Sequence, residues 1–168
     1  MLIGGGVRSG KSSFAVSLAL GRGARRAFIA TATRSDDEMT ARILRHQVDR
    51  NDEFDTIEEP LDLAGALASL EGYDVVVVDC LTHWLSNLLL RDATDDAILR
   101  EVDAVVDVLR LRAFDAILVT NEVGMSIHPP TPLGRRFVEI CGFAHQRVAR
   151  AADEVHLAVL GTTLRIRP

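Results

Sequence analysis

The chain has 168 residues, a net charge of −5 at pH 7 and a 48% share of hydrophobic residues. That apolar share exceeds what a disordered chain carries and is enough for one compact core, so we expect a single domain over residues 1–168. The pI of about 5.5 argues against a non-specific nucleic-acid binder, which usually has a basic face. No apolar run reaches membrane-spanning length and no signal-peptide pattern is seen, so we expect a cytoplasmic protein. Cys80 and Cys141 fit no metal-binding spacing and are expected to be buried free thiols.

Helical and extended patterns alternate along the chain. Short apolar runs predict strands over residues 2–3, 27–30, 54–58, 73–79, 116–120, 155–160 and 164–166. Helical patterns, with a Ser-x-x-Glu capping box at the second helix, predict helices over residues 12–20, 36–50, 61–70, 81–90, 95–112 and 132–152. Because the strands are continuously apolar, we predict an α/β fold with a mostly parallel central sheet and helices on both faces. The last two strands are expected to form an antiparallel hairpin around Gly161-Thr162.

A glycine-rich loop follows the first strand. It satisfies the pattern G-x-x-x-x-G-K-[ST] with Gly5, Gly6, Val7, Arg8, Ser9, Gly10, Lys11 and Ser12. In such a loop, backbone N–H groups and the N-terminus of the following helix bind phosphate oxygens. We therefore predict a nucleotide-binding P-loop in which Lys11, the only lysine of the chain, reaches the β- and γ-phosphates and Ser12 ligates Mg²⁺. The alternative is a glycine turn that merely ends a strand.

Polar residues follow two of the other predicted strands. Asp79 ends the run VVVVD, where its carboxylate would face the ligand crevice of a parallel sheet and hold Mg²⁺ or its water shell. The alternative role for Asp79 is to cap the helix that begins near Leu81. Thr31, Ala32 and Thr33 follow the second strand, where they would either contact a nucleotide or form a plain strand-to-helix turn.

His46 lies at the centre of the stretch RILRHQVDR, on the predicted second helix. Arg42, His46 and Arg50 are spaced i, i+4 and i+8, so they share roughly one face of that helix. The two flanking cations disfavour protonation of the imidazole, and a neutral imidazole is able to form a covalent intermediate. The same arginines would stabilise charge that develops at a nucleotide's α-phosphorus. The alternative is an ordinary histidine on a charged surface helix.

Several stretches, taken together, resemble one known family. They are GGVRSGKS, ATATRSDDEMTARILRHQVDR, TIEEPLDL, VVVVDCLTHWLSNLL, VTNEVGM, and PLGRRF followed by ADEVHLAVLG. In that order they cover nearly the whole chain and resemble the bifunctional adenosylcobinamide kinase / adenosylcobinamide-phosphate guanylyltransferase family of cobalamin biosynthesis. The P-loop is common to many families, whereas the combination of DDEM-x-x-RI-x-x-H, WLSNLL and TNEVGM is specific.

The resemblance implies two reactions. ATP or GTP would phosphorylate the aminopropanol hydroxyl of adenosylcobinamide, and GTP would then give its GMP to adenosylcobinamide phosphate, releasing pyrophosphate. It also implies that His46 carries the GMP as a guanylyl-histidine, that the fold is a RecA-like P-loop fold, and that the protein is a homotrimer. The nucleotide contacts that the resemblance implies are residues 5–12, Thr31, Ala32, Thr33, Gln47, Val48, Asp49, Arg50, Glu58 and Asp79.

The chain differs from the family at several positions, and its sequence leaves two alternative functions open. Ser126, His145 and Gly4 replace residues that are usually glycine, asparagine and threonine in the family. Because of Ser126 and His128, the conformation of the loop over residues 124–133 does not follow from the resemblance. Glu122, at the end of a predicted strand, would either position substrate or metal, or cap a helix. One alternative function is a kinase in which His46 is structural. Another is an NTP-dependent nucleic-acid-binding protein, which the acidic pI and 5% aromatic content disfavour.

Overall fold

Seven strands form one sheet in the described part of the chain, which in this computed structural model comprises residues 1–33, 53–111 and 113–167. The strands are β1 (Leu2–Gly5), β2 (Arg26–Ala30), β3 (Asp55–Glu58), β4 (Val75–Asp79), β5 (Asp115–Asn121), β6 (Val155–Val159) and β7 (Thr162–Arg167). Their order is β3-β2-β4-β5-β1-β6-β7, and neighbouring strands are parallel except for β6 and β7. The predicted mostly parallel sheet is therefore confirmed. The predicted helix over residues 36–50, which carries His46, lies outside the described residues.

Five helices lie in the same described ranges, and their bounds follow local capping signals. They are α1 (Lys11–Leu20), α2 (Leu63–Ala68), α3 (Leu81–Leu89), α4 (Asp95–Arg110) and α5 (Pro132–Ala151). The side chains of Asp62, Thr94 and Thr131 each accept an N–H from the first turn of the helix that follows, which satisfies a donor that the helix itself leaves unpaired. This explains why α2 begins at Leu63 rather than at residue 61. None of the five is long and apolar enough to cross a membrane.

Apolar side chains on the two faces of the sheet form two separate core clusters. Alternate strand residues such as Ile3, Val77 and Val119 pack against α1 on one face, whereas their neighbours pack against α2, α3, α4 and α5 on the other. Because both faces are covered, strands β2, β4 and β5 are apolar along most of their length, as expected for buried parallel strands. The predicted helices on both faces are confirmed.

The C-terminal hairpin is confirmed, but its turn lies one residue earlier than predicted. Val159 pairs with Thr162, so the two turn residues are Leu160 and Gly161, not Gly161 and Thr162. Both have positive φ, 53° for Leu160 and 77° for Gly161. Two successive positive φ values are what a tight two-residue hairpin turn requires, because that turn matches the twist of the flanking strands.

The topology brings the glycine-rich loop and Asp79 to one edge of the sheet. The parallel strands β1, β2, β3, β4 and β5 all end there, and ligands of open α/β sheets bind at such carboxyl ends. Strand β5 lies between β1, which runs into the glycine-rich loop, and β4, which ends at Asp79. The fold therefore sets the glycine-rich loop and Asp79 on either side of the end of β5.

Candidate active site

The glycine-rich loop passes directly from β1 into α1, as the sequence predicted. The Lys11 Nζ donates a 2.9 Å hydrogen bond to the carbonyl of Gly6, and the N–H of Ser9 donates to the same carbonyl at 3.2 Å. Lys11 is buried, so its ammonium is fixed against the loop instead of extending into solvent. The Ser9 Oγ is buried too and has no hydrogen-bond partner within the described part of the chain.

Two glycines of this loop lie where a side chain would not fit. A Cβ on Gly5 would lie 2.5 Å from the carbonyl oxygen of Ala158 and 2.6 Å from the Ser9 Oγ. Gly10, the residue before α1, has a φ of 94°, a conformation that glycine adopts readily and other residues do not. The backbone of the loop is therefore packed closely against β6, while a Cβ on Gly6 would meet no atom of the described residues within 4 Å.

Asp79 lies at the end of β4, half-buried, in the position predicted for a magnesium ligand. The N-cap residue of α3 is Cys80, and no side chain of the described residues caps that helix, so the alternative in which Asp79 caps α3 is not supported. Burial raises the pKa of the Cys80 thiol to about 12, the Asp79 carboxylate adds to this shift, and Lys11 acts in the opposite direction. Cys80 directly follows Asp79 in the chain, so its thiol lies beside the carboxylate at the end of β4.

Thr31 holds the turn that follows Asp79. Its hydroxyl donates to the carbonyl of Cys80 at 2.7 Å and accepts from the N–H of Cys80 at 2.9 Å. The Asn87 amide, which the sequence analysis missed, donates to the carbonyls of Thr31 and Pro60 at 2.8 and 3.0 Å. Thr31 is fully buried, and its contact with a nucleotide stays a prediction.

The remaining predicted contacts divide into two groups. Ala32 is half-buried, while Thr33 and Glu58 are exposed, and all three follow or end strands at the same edge of the sheet. Their contact with a nucleotide stays a prediction. Outside the described residues lie His46, Gln47, Val48, Asp49 and Arg50.

The candidate metal ligands are few. Ser12, in the first turn of α1, and Asp79 supply a hydroxyl and a carboxylate, and Mg²⁺ prefers such oxygen ligands. Over residues 1–33, 53–111 and 113–167, no group of three or more His, Cys, Asp or Glu side chains could hold a metal ion. The chemistry of these two donors suits a Mg²⁺ ion that takes its other ligands from water and nucleotide phosphates, which is how Mg²⁺ is usually bound.

Glu122 lies one residue beyond β5 and supports the loop that follows. Its Oε1 accepts hydrogen bonds from the N–H groups of Gly124 at 2.5 Å and Met125 at 3.2 Å. No helix begins there, since α5 starts at Pro132; the predicted helix-capping role is therefore replaced by the capping of a turn. The N–H of Glu122 donates to the carbonyl of Gly5 at 2.9 Å, which ties the end of β5 to the glycine-rich loop.

A buried polar network beside this edge also escaped the sequence analysis. The hydroxyls of Thr82 and Thr120 lie 3.0 Å apart, and the Thr120 hydroxyl lies 2.6 Å from the His145 Nε2. The N–H of Asn121 donates to the Thr82 hydroxyl at 2.7 Å. The only signal in the sequence was a histidine in place of the usual asparagine, which does not reveal its partners.

Comparison with solved structures supports the fold. The RadB recombinase structure aligns with 93% of this chain and 73% of its own, with a TM-score of 0.52 and 15% identity. At that identity the similarity shows the fold alone. The predicted RecA-like P-loop fold is confirmed.

Comparison with protein sequences supports the family. The adenosylcobalamin biosynthesis protein CobP of Pseudomonas aeruginosa, described as bifunctional, is 40% identical over 167 residues, covering 99% of this chain and 96% of the relative. The protein CobU of Escherichia coli strain K12, described in the same words, is 35% identical over 180 residues, covering 99% of both chains. The model of the family described as cobinamide kinase / cobinamide phosphate guanyltransferase matches residues 1–166. With its P-loop geometry and its full-length similarity, the chain belongs to the cobinamide kinase / cobinamide phosphate guanyltransferase family.

Proposed function

We propose that this chain catalyses both reactions of its family on adenosylcobinamide and adenosylcobinamide phosphate. The observation that carries the proposal is the family match over residues 1–166, in a chain whose glycine-rich loop and Asp79 lie at the ends of strands β1 and β4, on either side of β5. The buried Ser9 hydroxyl at the base of the glycine-rich loop has no hydrogen-bond partner among the described residues. This adds support, because a nucleotide phosphate would give it a partner. The whole chain, residues 1–168, would act as one catalytic domain.

In the first reaction, the aminopropanol hydroxyl of adenosylcobinamide attacks the γ-phosphorus of ATP or GTP, and the nucleoside diphosphate leaves. Lys11 neutralises charge on the β- and γ-phosphates, while the backbone of residues 5–12 orients them. Mg²⁺, held by Ser12 and Asp79, would neutralise charge on the same phosphates. Positioning is most of the catalysis in such a transfer, so a lysine already fixed against the loop by the Gly6 carbonyl suits the reaction.

In the second reaction, the imidazole of His46 attacks the α-phosphorus of GTP and pyrophosphate leaves. A phosphate oxygen of adenosylcobinamide phosphate then attacks the same phosphorus, which gives adenosylcobinamide-GDP and frees the imidazole. His46 lies outside the described residues. Its role is supported by the RI-x-x-H match and by the spacing of Arg42 and Arg50, whose charges favour a neutral, nucleophilic imidazole.

Mass spectrometry of the intact protein after incubation with GTP and Mg²⁺ tests the covalent step. We expect a mass increase of one GMP that is lost in acid and kept in base, as for a phosphorus–nitrogen bond. His46→Ala should abolish the increase, whereas His128→Ala, which changes an exposed histidine, should keep it. An adduct that persists in His46→Ala would show that another residue carries the GMP.

The alternative, a kinase in which His46 is structural, predicts a different outcome of the same experiment. No adduct would form in the wild type, while cobinamide would still be phosphorylated at the expense of ATP or GTP. Lys11→Ala serves as the control for that activity, because it removes the charge that neutralises the phosphates. Loss of phosphorylation in Lys11→Ala would show that the measured activity belongs to this loop.

We further propose that the protein is a cytoplasmic homotrimer. Supporting self-association, the outer strand β7 has an edge without a strand partner in the described sheet and exposes the apolar side chains of Leu164 and Ile166. Such edges attract further chains unless they are covered or charged. Light scattering coupled to gel filtration gives the number of subunits.

A further inference from the structure

The polar network of His145, Thr120, Thr82 and the N–H of Asn121, here called the His145 network, links three elements. Its members come from α5, β5 and α3, and consecutive members lie 2.6, 3.0 and 2.7 Å apart. Both threonines are buried. Polar groups in such surroundings exchange little with water, so each hydrogen bond holds its partners in a defined geometry.

The direction of hydrogen bonding is defined at the Asn121 end of the network. The N–H of Asn121 only donates, so the Thr82 Oγ1 is an acceptor there. At the other end, burial lowers the pKa of His145 and the nearby Glu122 carboxylate acts against that shift. A neutral imidazole accepts through one ring nitrogen. In the tautomer whose Nε2 is the accepting nitrogen, Thr120 donates to His145 and Thr82 donates to Thr120, so each hydroxyl proton makes one hydrogen bond.

The network ends on the one strand that separates the two halves of the candidate site. Asn121 pairs in register with Gly5 of the glycine-rich loop. The Nδ2 of its side chain lies 3.8 Å from the sulfur of Cys80, the residue after Asp79. Strand β4 stops at Asp79, opposite Val119, so the N–H of Asn121 has no strand carbonyl of β4 to bind. The Thr82 hydroxyl takes that place.

We propose that His145 is a positioning residue for the phosphoryl transfer, acting through Thr120 and Thr82 to hold Asn121 between Gly5 and Asp79. This inference rests on the proposed function. Loss of the His145 Nε2 leaves the Thr120 hydroxyl without that partner, so the side chains of Thr120 and Thr82 are no longer held in one arrangement and the Thr82 oxygen can move from the Asn121 N–H. The end of β5 then loosens between the loop and Asp79, although neither is altered itself.

The test compares kinetics of the full-length chain and its variants with cobinamide, ATP and Mg²⁺. His145→Leu removes the acceptor, and we expect kcat to fall by roughly tenfold with little change in KM for ATP, since misplacement affects the transition state more than nucleotide binding. His145→Gln places an amide atom where the Nε2 lies, so most of the kcat should return. Thr82→Val should resemble His145→Leu, and the double variant should be no slower than either, because both break one network.

A variant of similar packing damage separates positioning from stability. Val148 of α5 is buried among apolar side chains, so Val148→Ala leaves a cavity there. This variant should have a lower melting temperature and an unchanged kcat. If His145→Leu does not fold, Thr82→Val and His145→Gln still give the comparison. A wild type that does not phosphorylate cobinamide overturns the proposed function. If the wild type phosphorylates cobinamide, two results would overturn this inference alone. One is an unchanged kcat in His145→Leu or Thr82→Val, and the other is no recovery of kcat in His145→Gln.

Discussion

The N–H of Gly161 donates a 3.1 Å hydrogen bond to the carbonyl of Ser9. This bond joins the turn of the C-terminal hairpin to the glycine-rich loop, although the two lie near opposite ends of the sequence. Gly10 lies against the same turn, because a Cβ placed on it would be 3.3 Å from the Gly161 Cα. The loop is thus held by a hydrogen bond from the hairpin turn as well as by its direct connection to α1.

Substitution of the two turn residues should change stability in opposite directions. Gly161→Ala puts an L-residue at a φ of 77°, and we expect the free energy of unfolding to fall by about 1 kcal/mol. Leu160→Asn introduces a residue that tolerates the observed φ of 53°, and should raise that free energy by up to about 1 kcal/mol. Urea unfolding measures both. Equal stability of the two variants would mean that the turn is not strained in solution.

The same pair of variants tests the support of the loop. If the Gly161–Ser9 bond helps to hold the loop, Gly161→Ala should also weaken ATP binding, measured by calorimetry, while Leu160→Asn leaves it unchanged. A Cβ on Gly161 would meet no atom of the described residues within 4 Å, so any loss comes from the backbone and not from a clash.

A second prediction concerns the first two glycines of the loop. Gly5→Ala forces its Cβ against the Ala158 carbonyl, which is backbone and cannot rotate away. We expect the free energy of unfolding to fall by about 2 kcal/mol, within the range for overpacked cores. Gly6→Ala adds the same methyl group where no described atom lies within 4 Å, and should change stability by less than about 0.5 kcal/mol. Matched unfolding curves for the two variants check this, and a stable Gly5→Ala would contradict the close approach of β6.

The sequence predicted the loop and the sheet because their signals are local. Glycines at fixed spacing and continuous apolar runs show in a window of a few residues, so residues 5–12 and the end of β4 could be placed before the fold was known. The His145 network could not, since Thr82 and Thr120 are 38 residues apart and Thr120 and His145 are 25 apart. Only tertiary packing brings them together. The hairpin turn was misplaced because Leu160 has a backbone conformation that leucine rarely adopts.

A third prediction concerns the two cysteines. Burial raises the pKa of both the Cys80 and the Cys141 thiols to about 12, so at pH 8 neither forms the reactive thiolate. We expect a thiol reagent such as iodoacetamide to label neither cysteine of the native protein and both in urea. Rapid labelling of the native protein would show that one of these sites opens.

The same shifts set the stability at high pH. An unfolded chain releases each thiol proton near pH 9, whereas the folded chain holds it until about pH 12. Above pH 9 the folded state therefore binds more protons than the unfolded state, and stability falls as the pH rises. The expected loss is about 1 kcal/mol per thiol for each pH unit between those limits. Cys141→Ala, followed by urea unfolding at pH 8 and pH 10, should show a smaller difference between the two pH values than the wild type.

The last prediction tests the surface that supports self-association. Leu164 and Ile166 are 60% and 62% exposed on the outer strand β7, and lie two residues apart, so they share one face of that strand. If copies of the chain meet there, Leu164→Asp buries a charge without a partner in the interface, which is strongly unfavourable. Light scattering should then give a smaller assembly than for the wild type. Leu111→Asp, which changes a residue 77% exposed beyond α4, should leave the assembly intact. A Leu164→Asp variant with the mass of the wild type would place the subunit contact on another surface.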